Sequence, residues 1–171
     1  MKALIIGGVS IPDLAALELQ QTYEPIGGEL MLRTIGGSAI KQITWQKWRT
    51  TITGGGWLPF GLSSLDYSAQ MSVACIVPRA VVCSGLSATL PAARRSDTGY
   101  LPWGVALLAD QTTQVTAATM AGNVATLDAV AGAIGYHAMY YPLLQCYVSR
   151  PKEQGVRETA SYGWSIVAEE A

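Results

Sequence analysis

Three features of the sequence predict an all-β protein built as an antiparallel barrel or sandwich. Apolar residues recur with a period of two, helical periodicity is scarce, and glycine pairs punctuate the strand-like runs. At 171 residues there is room for one domain with a core, or for one domain carrying a small insert.

In chain order, Pro12-Asp13 begins a run to Tyr23 in which Leu14, Ala16, Leu17 and Leu19 form a short apolar stripe. A short helix is expected there, with a loop or extended arm as the alternative. From Ala39 to Trp45, Lys41, Ile43 and Trp45 share one side. Lys47 to Thr53 alternates more cleanly, with Trp48, Thr50 and Ile52 on one face and Lys47, Arg49 and Thr51 on the other. Gly36-Gly37 ahead of these runs is a hairpin signal. Ile-Gly-Gly occurs at Ile6, Ile26 and Ile35, but unrelated flanks and uneven spacing argue against a repeat. Met71, Val73, Cys75 and Val77 line one side of a strand from Gln70 to Val77.

Four short strand-like runs follow at about ten-residue spacing: Gly104 to Ala109, Thr112 to Thr119, Asn123 to Ala129 and Ile134 to Tyr141. Asp110-Gln111, Gly122-Asn123 and Ala131-Gly132 supply their turns. This spacing predicts a small immunoglobulin-like (Ig-like) β-sandwich over residues 83–142, inserted into a main domain of residues 1–82 and 143–171. Pro78, Pro91, Pro102 and Pro142 mark the crossings. Leu143 to Ser149 and Ala160 to Ala168 rejoin the main sheet, and Pro151 to Gly155 is read as their connecting turn. In the last strand Tyr162, Trp164, Ile166 and Ala168 oppose Ser161, Gly163 and Ser165.

Half the residues are hydrophobic and 13% are charged, against about 25% charged in ordinary soluble domains. Such a deficit points to surface covered by partner subunits. No run approaches the roughly 18–20 apolar residues that span a bilayer, so membrane insertion is not expected. A net charge of −1 offers no basic face for nucleic acid, and the one basic pair, Arg94-Arg95, is read as a solvated loop. Cys75, Cys83 and Cys146 fit no metal or redox spacing, and the start Met-Lys-Ala-Leu-Ile-Ile-Gly-Gly is too short for a signal peptide. Reduced, buried thiols in a chain made in a cytoplasm are the expectation.

Chemistry-bearing patterns are sparse. His137 is the lone histidine and lies mid-strand, whereas a zinc site needs three or four ligands. Gly54-Gly55-Gly56 lacks the Lys-Ser/Thr of a phosphate loop, and there is no Gly-x-Ser-x-Gly elbow. A glycosidase pair would have to come from Glu24, Glu29, Asp66, Asp97, Asp110 or Asp128. No catalytic residue, cofactor or metal is assigned. The distinctive stretch runs instead from Thr44 to Tyr67: a strand, a break at the triple glycine, then a loop with aromatics and a proline. Aromatics and arginine anchor protein–protein contacts, so Arg49, Trp57, Phe60, Asp66 and Tyr67 are the interface candidates, while Trp48 is read as core. Lys41, Lys47 and Arg49 are expected to face solvent, a neighbour or a lumen, with Asp66 a partner for one of them across a ring interface. A carbohydrate-binding sandwich using Trp57, Tyr67 or Tyr100 as stacking platforms is the alternative, and a small hydrolase the third reading.

The runs Gly28-Glu29-Leu30, Lys47 to Ile52, Gly56-Trp57-Leu58-Pro59, Gly61-Leu62 and Leu65 to Ser68 resemble small tail proteins of long-tailed bacteriophages and prophages. Leu90 to Arg95, Val130 to Ala133, Tyr140-Tyr141-Pro142 and Ala168 to Ala171 are similar too. The resemblance implies a virion structural subunit near the distal tail or baseplate, synthesised in a host bacterium. Such a subunit forms a homo-oligomeric ring around a channel and docks the tail tube, hub or tape-measure proteins. Iron–sulfur-binding tail proteins carry four cysteines near one end, which this chain lacks.

Overall fold

The computed structural model describes residues 3–171; Met1 and Lys2, which open the stretch weighed as a signal peptide, lie outside the described residues. The strands are β1 (Ile5–Ile6), β2 (Val9–Ser10), β3 (Gln20–Arg33), β4 (Ala39–Gly56), β5 (Met71–Ala74), β6 (Arg79–Val82), β7 (Ser87–Thr89) and β8 (Trp103–Leu108). They continue as β9 (Thr113–Thr116), β10 (Ala118–Ala121), β11 (Val124–Leu127), β12 (Ala133–Tyr140), β13 (Leu143–Val148), β14 (Lys152–Val156) and β15 (Ser161–Glu170). The protein is all-β. Its only helical pieces among the described residues are 3-10 turns at Asp13–Ala15 and Leu62–Ser64. Two compact units divide the described residues: Ile5–Val73 with Gln145–Ala171, and Ala74–Leu144 with Ala3 and Leu4.

The first unit carries most of an eight-stranded sheet, in the order β2-β1-β5-β13-β15-β4-β3, with β14 paired to another stretch of β15. The sheet stays open between β2 and β3, so of the expected barrel or sandwich no closed barrel forms. Trp164, Ile166 and Ala168 are buried on β15, as their alternation predicted, and so are Thr50 and Ile52 on β4. Buried polar groups are satisfied on this face: Gln21 Nε2 donates to Thr50 Oγ1 (2.9 Å), which donates to the Thr22 carbonyl (2.9 Å).

Three local expectations change. The stripe at residues 13–23 makes one 3-10 turn, after which β3 begins at Gln20. Of its apolar positions Leu14 and Leu17 are exposed while Ala15 is buried, so no helical face is being packed. The triple glycine does not break the strand, because β4 runs through Gly56 and pairs Gly54, Gly55 and Gly56 with Trp164, Gly163 and Tyr162. The glycines are there for space. A Cβ at Gly54 would sit 2.3 Å from Trp164 Cζ2, and one at Gly56 would sit 1.9 Å from the Leu14 carbonyl oxygen. Finally, Lys152–Val156 is strand β14 rather than a turn, and the reversal falls at residues 157–160, ending with Ala160 at φ 48°.

In the second unit a three-stranded sheet (β10-β11-β7) and a four-stranded sheet (β6-β12-β8-β9) share a core of Ala88, Leu90, Ala125, Leu127, Ala138 and Tyr140. Tyr136, Ala138 and Tyr140 share a face of β12, and all three belong to this packing. Its turns lie where the sequence placed them: Gln111, Gly122 and Gly132 all take positive φ. Arg95 corrects another expectation. It is 2% exposed rather than solvated. Its guanidinium donates to the carbonyls of Ala3 (2.9 Å), Ala74 (3.2 Å) and Cys75 (3.1 Å), forms a two-point pair with Asp97 (3.0 and 2.6 Å), and lies 3.1 Å from the Tyr100 ring centroid. Arg94 is also committed, to Pro91 O, Gly122 O and Asn123 Oδ1.

Candidate interaction surface

β3 and β4 form one long hairpin, in register from Gln20 opposite Thr53 to Arg33 opposite Ala39. The turn is built locally: Thr34 N–H donates to the Ser38 carbonyl (3.0 Å), Gly37 N–H donates to Thr34 O (2.9 Å), and Gly37 has φ +83°. β15 accompanies β4 only from Gly56 to Arg49, opposite Glu169. Beyond Arg49 the hairpin continues as a two-stranded arm with no other strand pairing among the described residues. A two-stranded ribbon has little stability in water by itself.

The arm exposes apolar side chains on both of its faces: Leu30, Leu32 and Ile40 on one, Met31 and Ile43 on the other, with Ile35 at the turn and Trp45 at the bulge. Scattered exposed apolar residues are ordinary, whereas a contiguous group marks a contact surface. At a bulge, Thr44 and Trp45 of β4 stand opposite the single Gly28 of β3, whose missing side chain leaves room for the Thr44 hydroxyl and the Trp45 indole. Lys41 Nζ pairs with Glu29 (2.9 Å) across the strands, which lowers the Glu29 pKa mainly through that hydrogen bond and a second one from Gln46.

Pro25 faces Trp48 on the outer side of the same ribbon. The Trp48 N–H turns away from β3 to donate to Glu170 Oε2 (3.0 Å), so this is a non-hydrogen-bonded pair and the Pro25 nitrogen points to the open edge.

At the other end of β4 lies a groove of about 340 Å³ lined by Leu17, Glu18, Gly56, Trp57, Val156 and Tyr162. Trp57 is 64% exposed. Its backbone is nonetheless fixed, since its N–H donates to Leu14 O (2.8 Å). Glu18 is held beside it by two backbone hydrogen bonds with Gly55 (both 3.2 Å). Its carboxylate forms no ion pair among the described residues.

The sequence candidates are not gathered into one patch. Phe60 is 2% exposed and stacks on Trp164, with centroids 4.9 Å apart and planes 9° off parallel. That ring belongs to the core and offers no face to a partner. Arg49 sits between two directly opposite glutamates, pairing with Glu169 (2.8 Å) and Glu24 (3.3 Å); the Glu169 hydrogen bond is the chief cause of its raised pKa. Within the chain, Asp66 is not paired with Arg49 or with a lysine among the described residues. It accepts from Ser68 Oγ (2.6 Å) and Ser68 N–H (2.9 Å), which holds its pKa down. Tyr67 is half-buried, with its hydroxyl on Leu62 O (2.7 Å), and its pKa is raised first by burial and then by Glu153. Tyr100, weighed as a sugar platform, is buried under Arg95 and edge-on to Tyr141.

Among the described residues no group of three His, Cys, Asp or Glu is placed to hold a metal ion. Cys75 and Cys146 are buried, and desolvation raises the Cys83 pKa above the ordinary thiol range. The carboxyls with resolved shifts, Glu29, Asp66, Asp97 and Asp110, are all shifted downward by hydrogen bonds, opposite to what a proton donor at neutral pH requires. What the sequence reading missed is the arm. Its signal was present as Leu30-Met31-Leu32 and Ile35 flanking the Gly36-Gly37 turn. Comparison with family models, curated proteins and solved structures gives no match.

Proposed function

We propose that this chain is a structural subunit of a bacteriophage tail, assembling with copies of itself into a ring near the distal tail or baseplate. The observation that carries the reading is the apolar arm: exposed aliphatic side chains on a ribbon that has no strand of its own chain beside it. An arm of this kind gains its stability by being covered, and a head-to-tail contact between copies closes into a ring when the rotation permits. The low charge content agrees. On this reading the ring adds a rigid channel segment, and the tail tube, hub and tape-measure proteins are its neighbours in the virion.

The test is sedimentation of the purified chain over a range of concentrations, combined with imaging. Rings that grow in with concentration support the proposal; a monomer at every concentration overturns it. A second reading, a carbohydrate-binding module, is favoured by Trp57 and Tyr162 sharing one open groove. Glycan binding by a persistent monomer would decide for that reading.

A further inference from the structure

The arm and the groove lie in the same unit, at opposite ends of the same strand. From Ala39 beside the arm's turn to Gly55 at the groove, β4 advances 16 residues, which at about 3.3 Å per residue is roughly 50 Å. The arm therefore cannot fold back into the groove of its own chain. The two surfaces are nonetheless matched. The tip offers Leu32, Ile35 and Ile40 with the cation of Arg33, whose Nη1 is held on the Gly37 carbonyl (3.1 Å). The groove offers Leu17, Trp57, Val156 and Tyr162 with the carboxylate of Glu18, which forms no ion pair among the described residues.

We infer that the tip of the arm of one copy seats in the Trp57 groove of the next, with Arg33 facing Glu18 across the contact. The inference rests on the reading of the chain as a self-assembling subunit and names the surfaces that join. Complementary ends on one rigid strand make a heterologous contact, in which each copy gives its arm to one neighbour and receives the arm of another. The apolar side chains supply the burial, and the Arg33–Glu18 pair fixes which end meets which.

Charge exchange tests it. Sedimentation equilibrium is run on the wild-type chain, on Arg33→Glu, on Glu18→Arg and on the double variant, each checked for native β content by circular dichroism. Each single variant brings like charges together and should weaken assembly by more than about tenfold. The double variant restores opposite charges and should recover most of that loss. Mixing the two single variants gives an independent readout: the Arg33→Glu arm matches the Glu18→Arg groove, and the native Arg33 arm of the second variant matches the native Glu18 groove of the first, so mixed samples should regain assembly with the two variants alternating. Wild-type assembly that both single variants retain, or that the double variant fails to recover, overturns the arm-in-groove contact while leaving self-assembly standing. A wild-type chain that stays monomeric overturns the reading beneath it as well.

Discussion

At Gly54 the space for a side chain is already taken by the Trp164 indole, which in turn stacks on Phe60. Gly54→Ala must displace that stack and should cost about 1–3 kcal/mol, seen as a lower thermal midpoint. Gly163→Ala is the control, since a Cβ there meets nothing within 4 Å. Asp97 matters for a different reason. Arg95 is buried and permanently charged, and Asp97 is its counter-ion. Removing the carboxylate charge with Asp97→Asn should cost roughly 1.5–3 kcal/mol.

The Asp97 pKa is lowered chiefly by the Arg95 hydrogen bond, so folding favours the ionised form. That stabilisation is complete above the unfolded-state value near pH 4 and is lost as pH falls through the lower folded-state value. Acid unfolding of wild type should therefore be steeper below pH 4 than that of Asp97→Asn. At this scale sequence reading was uneven. Trp57 and Phe60 look alike as loop aromatics, and only the presence of Trp164 across the sheet sends Phe60 inward. Arg95 looked like half of a solvated pair because the carbonyls of Ala3, Ala74 and Cys75 are distant in sequence.

The β3–β4 arm is the element with the clearest separable role. Replacing residues 27–46 with an Asn-Gly turn would join Ile26 to Lys47, which are a hydrogen-bonded pair in the native register because Pro25–Trp48 is not one, through a two-residue hairpin. The thermal midpoint should move little, because the arm pairs with no other strand. Assembly measured by light scattering should disappear; persistence of assembly would show that the arm is not the contact. The hairpin turn was legible in Gly36-Gly37, and the strand faces of β4 and β15 in their alternation. The length of the arm was not, because cross-strand pairing decides where β15 stops accompanying β4. Likewise β14 looked like a turn on the strength of Pro151 and Gly155, whereas five pairings to β15 extend it.

For the whole molecule, the charge-poor composition and the exposed apolar arm are the two features on which the proposed self-assembly rests. Trp57→Ala should leave a folded chain that assembles poorly, measured as a right-shifted concentration dependence in sedimentation; normal assembly would remove Trp57 from the contact. The all-β class and the sandwich of the second unit followed from spacing and turn residues alone. The exposed arm did not, because its apolar run Leu30-Met31-Leu32 looks the same in sequence whether a third strand covers it or not. Pro25 bears on the interval before assembly. With its nitrogen facing the open margin of β3, Pro25 denies that margin an unbroken row of donors for a foreign strand to copy. On the proposed reading, this margin guards free copies against edge-to-edge polymerisation while the tips await the ordered contact.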